Sequence, residues 1–287
     1  MAVASFPSGE ETTLRDGRRV RLYRSGNGQS DTAIFFCHGA GGRSEQWRLL
    51  WPLLSGADAR LIAWDMPGHG RSPIIRHASA YAGSAMADDF IELIERFGTR
   101  RNLVVAHSYG AKLTLAMLQK LHGQGREKLI ARAVLLGSPS PQPTVVATLL
   151  RLPAWILGLF RRKLERGFRA AAWHESADPE LVEYEERKSR RNSLRVFKAL
   201  ALQGPELDVP ALARLDLPVL LLTGESDGLT PVRAAQSVEK ALPRAKLHVV
   251  ARCGHQVMLE QPEATAERLA AFFDLDPARL QQVGADS

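Results

Sequence analysis

The stretch Leu103-Val104-Val105-Ala106-His107-Ser108-Tyr109-Gly110 decides the fold, with Leu113, Met117, Leu118 and Leu121 following it at helical spacing. Residues 103–106 are apolar without alternation, which marks a parallel strand buried on both faces. The turn that leaves it reads small-x-Ser-x-small, with Ala106 and Gly110 two residues either side of Ser108. A serine held in a tight strand-to-helix turn, its hydroxyl exposed above the sheet edge, leaves room only for small side chains at those two places. The helix that starts there points its positive end at the turn, where a developing oxyanion is stabilised. The plainer alternative makes Ser108 a helix N-cap, a position serine favours. These few residues do not separate the two readings.

Working outward, residues 33–37, 61–64 and 133–136 are further apolar runs, and Met86, Phe90, Ile91, Ile94 and Phe97 mark an intervening helix. Strand and helix alternate, which predicts a doubly wound α/β sheet. Upstream, residues 12–15 and 18–23 alternate in polarity about Asp16-Gly17, the pattern of an antiparallel hairpin. The rhythm stops after Ser140. It resumes with the strand 218–222, a helix over 232–242, the strand 246–250 and a last helix ending at Phe273. The expectation is an eight-stranded, mostly parallel sheet. Residues 1–138 and 209–287 form its core, and a helical cap, residues 139–208, is inserted after the sixth strand. Residues 277–287 are expected to fray.

Three other elements bear on the chemistry of Ser108. His38-Gly39-Ala40-Gly41-Gly42 follows the strand 33–37, and its glycines let the backbone turn sharply and offer N–H groups. The N–H groups of Ala40 and Tyr109 are the candidate oxyanion donors, with His38, Gly39 and Gly41 supporting the loop. A phosphate loop would need Gly-x-Gly-x-x-Gly or a Walker lysine, and neither is present. Gly224-Glu225-Ser226-Asp227-Gly228 leaves one later strand, and Cys253-Gly254-His255 follows the next. Both lie at the carboxyl edge, where open sheets build their sites. A serine hydroxyl needs a neutral imidazole to take its proton and a carboxylate to orient that imidazole. Ser108 is therefore the candidate nucleophile, His255 the general base and Asp227 the orienting acid. Glu225 is the second choice of acid, being longer and closer to the strand end. Among the other histidines, His107 is set aside because adjacent side chains on a strand point apart. His248 falls within a strand, His122 and His174 at the surface, His77 in a loop and His69 in a tight turn.

The order of oxyanion loop, serine elbow, acid and histidine resembles the α/β-hydrolase superfamily, in particular its capped abhydrolase-domain members. The resemblance runs over residues 22–273 and includes the turn Asp65-Met66-Pro67-Gly68-His69-Gly70-Arg71-Ser72 and the ending Gly254-His255-Gln256-Val257-Met258-Leu259-Glu260-Gln261-Pro262. Ala106 stands where that family most often has glycine. The resemblance implies hydrolysis of a carboxylic ester, lipid-like esters and thioesters included, through an acyl-enzyme and with no metal or organic cofactor. The elbow serine separates the chain from haloalkane dehalogenases and epoxide hydrolases, which carry aspartate there. Carbon–carbon hydrolysis of a diketone uses a similar triad and is the alternative enzyme reading; peptidase activity is a further one. A catalytically silent binding or scaffold protein is the alternative from another class. The family's strand order also implies that Cys37 and Cys253 are too far apart to be bridged.

Composition narrows the field further. With 287 residues, 45% hydrophobic and 24% charged, the chain can bury a sizeable core as one large domain or two small ones. Two cysteines cannot build a disulfide framework, and no targeting pattern opens the sequence, so a cytoplasmic setting is expected. The net charge of +7 comes mostly from arginine without a lysine–aromatic platform, which argues against nucleic acid. The apolar interval 144–160 is broken by Arg151 and Pro153, short of the roughly 18 apolar residues of a membrane span. A small-molecule ester is the expected partner, and Trp155-Ile156-Leu157, Leu159 and Phe160 point to an amphiphilic or apolar acyl group. The residues set no oligomeric state. Residues 139–175 carry Arg151, Arg161, Arg162, Lys163, Arg166 and Arg169 against Glu165 and Glu175. This basic stretch reads first as a solvated helical face and second as a contact for an anionic membrane surface. Sedimentation with anionic liposomes separates the two: a solvated face gives no binding even at low salt, whereas a membrane contact gives binding that fades as salt rises.

Overall fold

The structure is a computed structural model, and it describes residues 6–140, 161–190, 192–276, 278 and 280. The apolar cluster from Trp155 to Phe160 and nearly all of the tail from Pro277 lie outside the described residues. Eight strands form one sheet: β1 (Glu10–Thr13), β2 (Arg19–Gly26), β3 (Thr32–Cys37), β4 (Arg60–Asp65), β5 (Arg101–His107), β6 (Arg132–Leu136), β7 (Val219–Gly224) and β8 (Ala245–Val250). Their spatial order is β1-β2-β4-β3-β5-β6-β7-β8. The pairs β1–β2 and β2–β4 are antiparallel and all others parallel. The expected hairpin and the expected mostly parallel sheet are both present.

Continuous apolarity has the predicted cause. Along β3, Phe35 packs into one core layer while Ile34 and Phe36 pack into the other; along β5, Val104 and Ala106 divide from Leu103 and Val105 in the same way. One layer is covered by α2 (Gly83–Phe97) and α3 (Tyr109–Gly123), which contribute Phe90, Leu113 and Met117. The other takes Trp47, α1 (Leu50–Leu54) and Leu269 and Phe273 from the last helix. Each such large side chain contributes about 1.5–3 kcal/mol by leaving water. Cys37 on β3 and Cys253 after β8 are both free and buried, with β5, β6 and β7 lying between their strands. No helix among the described residues is long and apolar enough to cross a membrane.

Between β6 and β7 the described chain is helical: α4 (Arg161–Ala172), α5 (Pro179–Ser189), α6 (Leu194–Gln203) and the short α7 (Val209–Leu212). Asp178 caps α5 through the Glu180 N–H at 2.9 Å, with Pro179 at the first helical position. These helices are fastened to loops at the carboxyl edge of the sheet. Buried Glu185 pairs with Arg48 and, at 3.1 Å, with Arg43, just beyond the glycine loop. Tyr184 donates to Glu45, and Asn192 Nδ2 donates to the Gly41 carbonyl. Burial alone would raise the Glu45 carboxyl, but the Tyr184 hydroxyl and the Arg43 and Lys188 charges hold it at about 2. After β7 come α8 (Val232–Ala241), the short α9 (Val257–Glu260) and α10 (Pro262–Phe273).

One buried carboxylate organises the turn after β4. Asp65, 1% exposed, accepts from Tyr23 Oη at 2.9 Å and the Arg71 N–H at 2.8 Å on one oxygen, and from the Ser44 N–H at 2.7 Å on the other. Three donors from three segments therefore converge on a charge that has no cationic partner among these contacts. Asp65→Ala leaves the buried Tyr23 and Ser44 donors and the part-buried Arg71 N–H unpaired, and is expected to cost about 3–5 kcal/mol in urea unfolding, against about 1 kcal/mol for Tyr23→Phe.

Candidate active site

Ser108 has φ 52° and ψ −116°, a left-handed conformation that costs a non-glycine residue on the order of 1–3 kcal/mol. It is held there from both sides. The Ser108 N–H donates to the Leu136 carbonyl of β6 at 2.9 Å. A Cβ on Gly110 would stand 2.5 Å from the Cys37 carbonyl oxygen and 2.6 Å from that of His38, so only glycine lets α3 begin against the end of β3. Ser108 occupies the N-cap position, yet its side chain makes no capping hydrogen bond. The hydroxyl is left for other chemistry, which removes the physical content of the N-cap alternative.

The glycine loop is braced by two buried imidazoles. The Gly39 carbonyl accepts from His38 Nδ1 at 2.8 Å and from the Gly42 N–H at 3.0 Å. In a planar trans peptide this fixes the Ala40 N–H in the opposite direction. His38 Nε2 accepts the Met66 N–H at 3.0 Å; His69 Nε2 accepts the Gly41 N–H at 3.1 Å, while His69 Nδ1 donates to the Pro67 carbonyl at 3.1 Å. Each ring must carry its proton on Nδ1 and stay neutral. Burial enforces this, holding His38 well below the ordinary imidazole range and lowering His69 as well. Gly41 therefore spends its N–H on His69. Among the described residues no acceptor takes the N–H of Ala40 or Tyr109.

Asp227 and His255 are brought together in a buried pair. In the turn after β7, Asp227 Oδ1 accepts the N–H groups of Leu229 and Thr230 at 2.9 and 2.8 Å. Its Oδ2 accepts Thr230 Oγ1 at 2.7 Å and His255 Nδ1 at 2.8 Å. Burial would raise the Asp227 carboxyl, but the hydrogen bond and charge of His255, with Thr230, hold it below the usual range. With Nδ1 committed to the carboxylate, Nε2 is the ring nitrogen of His255 left for a further hydrogen bond. Glu225 is exposed and accepts the Arg252 N–H at 3.2 Å.

Three contributors escaped the sequence reading. Thr230 binds the Asp227 carboxylate and lies 3.1 Å from His255 Nδ1; its position three residues after an aspartate, in a turn, is the only hint the sequence carried. Gly137, at φ 52°, makes room for the pair, because a Cβ there would be 2.9 Å from His255 Nδ1 and 3.3 Å from Asp227 Oδ2. His107 was set aside for pointing away from Ser108. Its ring packs on that of His255 at 4.6 Å between centroids, and its Nε2 donates to the His255 carbonyl at 3.0 Å. The face of β5 that His107 occupies is where the His255 loop packs, which strand alternation alone does not reveal. Burial, followed by the neighbouring His255, brings His107 down to about 3 and keeps it neutral. His77 is exposed, His122 and His174 are half-buried, and His248 lies within β8.

A cavity of about 650 Å³ lies between α4, α5 and the acid turn, lined among others by Arg169, Trp173, His174, Val182 and Ser226. Ser108 does not line it. Among the described residues no cluster of three or more His, Cys, Asp or Glu side chains could hold a metal ion.

Comparison with known proteins fits this architecture. Protein ABHD8 of Mus musculus is 26% identical over 276 residues, covering 94% of this chain and 62% of that protein. The chain thus spans about three fifths of the length of this curated relative. Two solved structures share the fold: an esterase from Exiguobacterium antarcticum, with a TM-score of 0.80 at 20% identity over 93% of this chain and 100% of that one, and a thermophilic esterase from Thermogutta terrifontis, with a TM-score of 0.78 at 20% identity over 96% and 100%. The model of the alpha/beta hydrolase family matches residues 34–268, and with its sheet order and serine elbow the chain belongs to that family.

Proposed function

We propose that the chain is a serine hydrolase that cleaves a carboxylic ester through an acyl-enzyme on Ser108. The observation that carries this reading is the buried His255–Asp227 hydrogen bond at 2.8 Å, taken together with a strained serine whose hydroxyl caps nothing. Ser108 Oγ attacks the ester carbonyl carbon and gives its proton to His255 Nε2. Asp227 stabilises the imidazolium that forms. The oxyanion of the tetrahedral intermediate takes the N–H groups of Ala40 and Tyr109, each donor of this kind being worth about 10²- to 10³-fold in rate. When the intermediate collapses, the ester C–O bond breaks and the leaving alcohol receives the proton from His255. Water, deprotonated by the same ring, then attacks the acyl carbon; the bond to Ser108 Oγ breaks, Oγ takes the proton back from His255 and the carboxylic acid leaves.

Residues 139–208 serve in this reading as a cap over the carboxyl edge, on a core of residues 1–138 and 209–287. The lipid-like character of the substrate rests on the apolar sequence cluster from Trp155 to Phe160. We read a chain with two cysteines and no disulfide framework as one of a reducing, cytoplasmic setting.

A fluorophosphonate probe is expected to label wild-type protein at Ser108 and to leave Ser108→Ala unlabelled. With p-nitrophenyl esters of increasing chain length, Ser108→Ala and His255→Ala should each lose at least about 10³-fold in kcat/KM, and Asp227→Asn about 10²- to 10⁴-fold. Glu225→Gln should stay within about twofold. Faster turnover of a vinylogous diketone than of any ester would transfer the assignment to carbon–carbon hydrolysis. Absence of labelling in folded wild-type protein, together with no turnover, would favour the silent-scaffold alternative. The loop brace has its own check: at pH 5.5, where a free imidazole of pKa about 6.5 is about nine-tenths protonated, the ¹⁵N shifts of His38 and His69 should remain those of the neutral Nδ1–H tautomer.

A further inference from the structure

Around His255, three consecutive backbone N–H groups are all occupied. The Gly254 N–H donates to Glu260 Oε2 at 3.0 Å, the His255 N–H to the Ala172 carbonyl at 2.9 Å, and the Gln256 N–H to Glu260 Oε1 at 3.0 Å. Glu260 Oε2 also takes the His174 N–H, just beyond α4, at 2.8 Å. One carboxylate at the end of α9 thus binds the residues on both sides of His255 and ties them to the inserted helices.

The end of α4 reaches the acid turn as well. Its last carbonyls have no partner within the helix and must find donors elsewhere. The Ala172 carbonyl finds His255, and the Ala171 carbonyl finds the Gly228 N–H at 2.9 Å, one residue after Asp227. A Cβ on Gly254 would stand 2.7 Å from the His174 nitrogen and 2.9 Å from the Ala172 oxygen, so the two segments meet backbone to backbone. Hydrogen bonds to an ionised carboxylate are roughly twice as strong as neutral ones. Glu260 takes three backbone N–H groups at this junction, from Gly254, Gln256 and His174.

We propose that Glu260 is a positioning residue for His255, acting jointly with the C-terminal end of α4. The Asp227–His255 pair keeps its place only while the helices between β6 and β7 are seated on the loops that carry these two residues. Through this junction, movement of α4 changes turnover at Ser108 without any α4 side chain touching the reacting atoms. The proposal rests on the reading of His255 as the general base.

Glu260→Ala removes all three acceptor contacts, and Glu260→Gln keeps the volume and one acceptor oxygen. With p-nitrophenyl butyrate as probe substrate, Glu260→Ala is expected to lower kcat about 10- to 100-fold with KM within about threefold, since small misplacements of a reacting group cost on this scale. Glu260→Gln should recover part of the loss. The downfield proton resonance of His255 Nδ1–H, in its hydrogen bond to Asp227, should shift or broaden in both variants. Wild-type kcat with an unmoved resonance in folded Glu260→Gln and Glu260→Ala overturns the proposal. A rise in KM alone also overturns it, because that would make Glu260 a determinant of pocket shape. Where Glu260→Ala does not fold, Glu260→Gln decides alone. Ser108→Ala run in parallel keeps the two readings apart: turnover equal to wild type would remove the nucleophile assignment, while the His255 resonance still reports on Glu260.

Discussion

A serine at φ 52° persists only where its surroundings leave the backbone no cheaper conformation, and the rest of the site is built around that demand. The N–H of Ser108 is committed to β6, and its helix starts flush against the carbonyls of Cys37 and His38. Relaxing the turn would break a sheet hydrogen bond or drive α3 away from β3. The same close approach brings the glycine loop against the start of α3, so the elbow and the loop are fixed by one contact. Strain at Ser108 and placement of the Ala40 and Tyr109 N–H groups are thus two results of a single packing constraint.

Charge is distributed around this contact with equal economy. Three buried imidazoles, His38, His69 and His107, are held neutral by burial and by hydrogen bonds that require a bare ring nitrogen or a neutral neighbour. Asp227 is held ionised by four donors, one of them His255. A proton that arrives on His255 therefore meets one fixed anion and no competing cation among the buried rings that pack beside it. The low dielectric that penalises each of these groups separately makes the Asp227–His255 interaction stronger than it would be in water.

The fold was legible because burial on both faces writes itself into sequence as unbroken apolar runs, and residues 33–37, 103–106 and 133–136 became β3, β5 and β6. Ser108, Asp227 and His255 were legible as candidates because each follows such a run, at the edge where loops converge. The failures share a different cause. Thr230, Gly137 and His107 act through contacts between loops from separate strands, and nothing in local spacing records which loops touch. Gly137 in particular looks like any residue leaving a strand; its meaning appears only once His255, more than a hundred positions later, is seen against it. Glu260 was visible within the motif that carried the family resemblance, but its work on backbone N–H groups leaves no pattern to read.

The helices between β6 and β7 are joined to the loops of the sheet in two different ways. At the glycine loop they are fastened by side chains, with Glu185 between Arg43 and Arg48 and Asn192 on Gly41. At the loops of Asp227 and His255 the junction is made by the carbonyls of Ala171 and Ala172 and by the His174 N–H. Backbone groups are present whatever the side chain, so this second junction tolerates sequence change in α4 provided the helix ends at the same place. Substitutions on α4 can then reshape the surface around the site without dislodging Asp227 or His255. A helix shifted by one residue would instead present its last carbonyls to the wrong partners, leaving buried N–H groups beside His255 unpaired at about 1–3 kcal/mol each. Helix length, more than helix sequence, is therefore the property of α4 that this junction constrains.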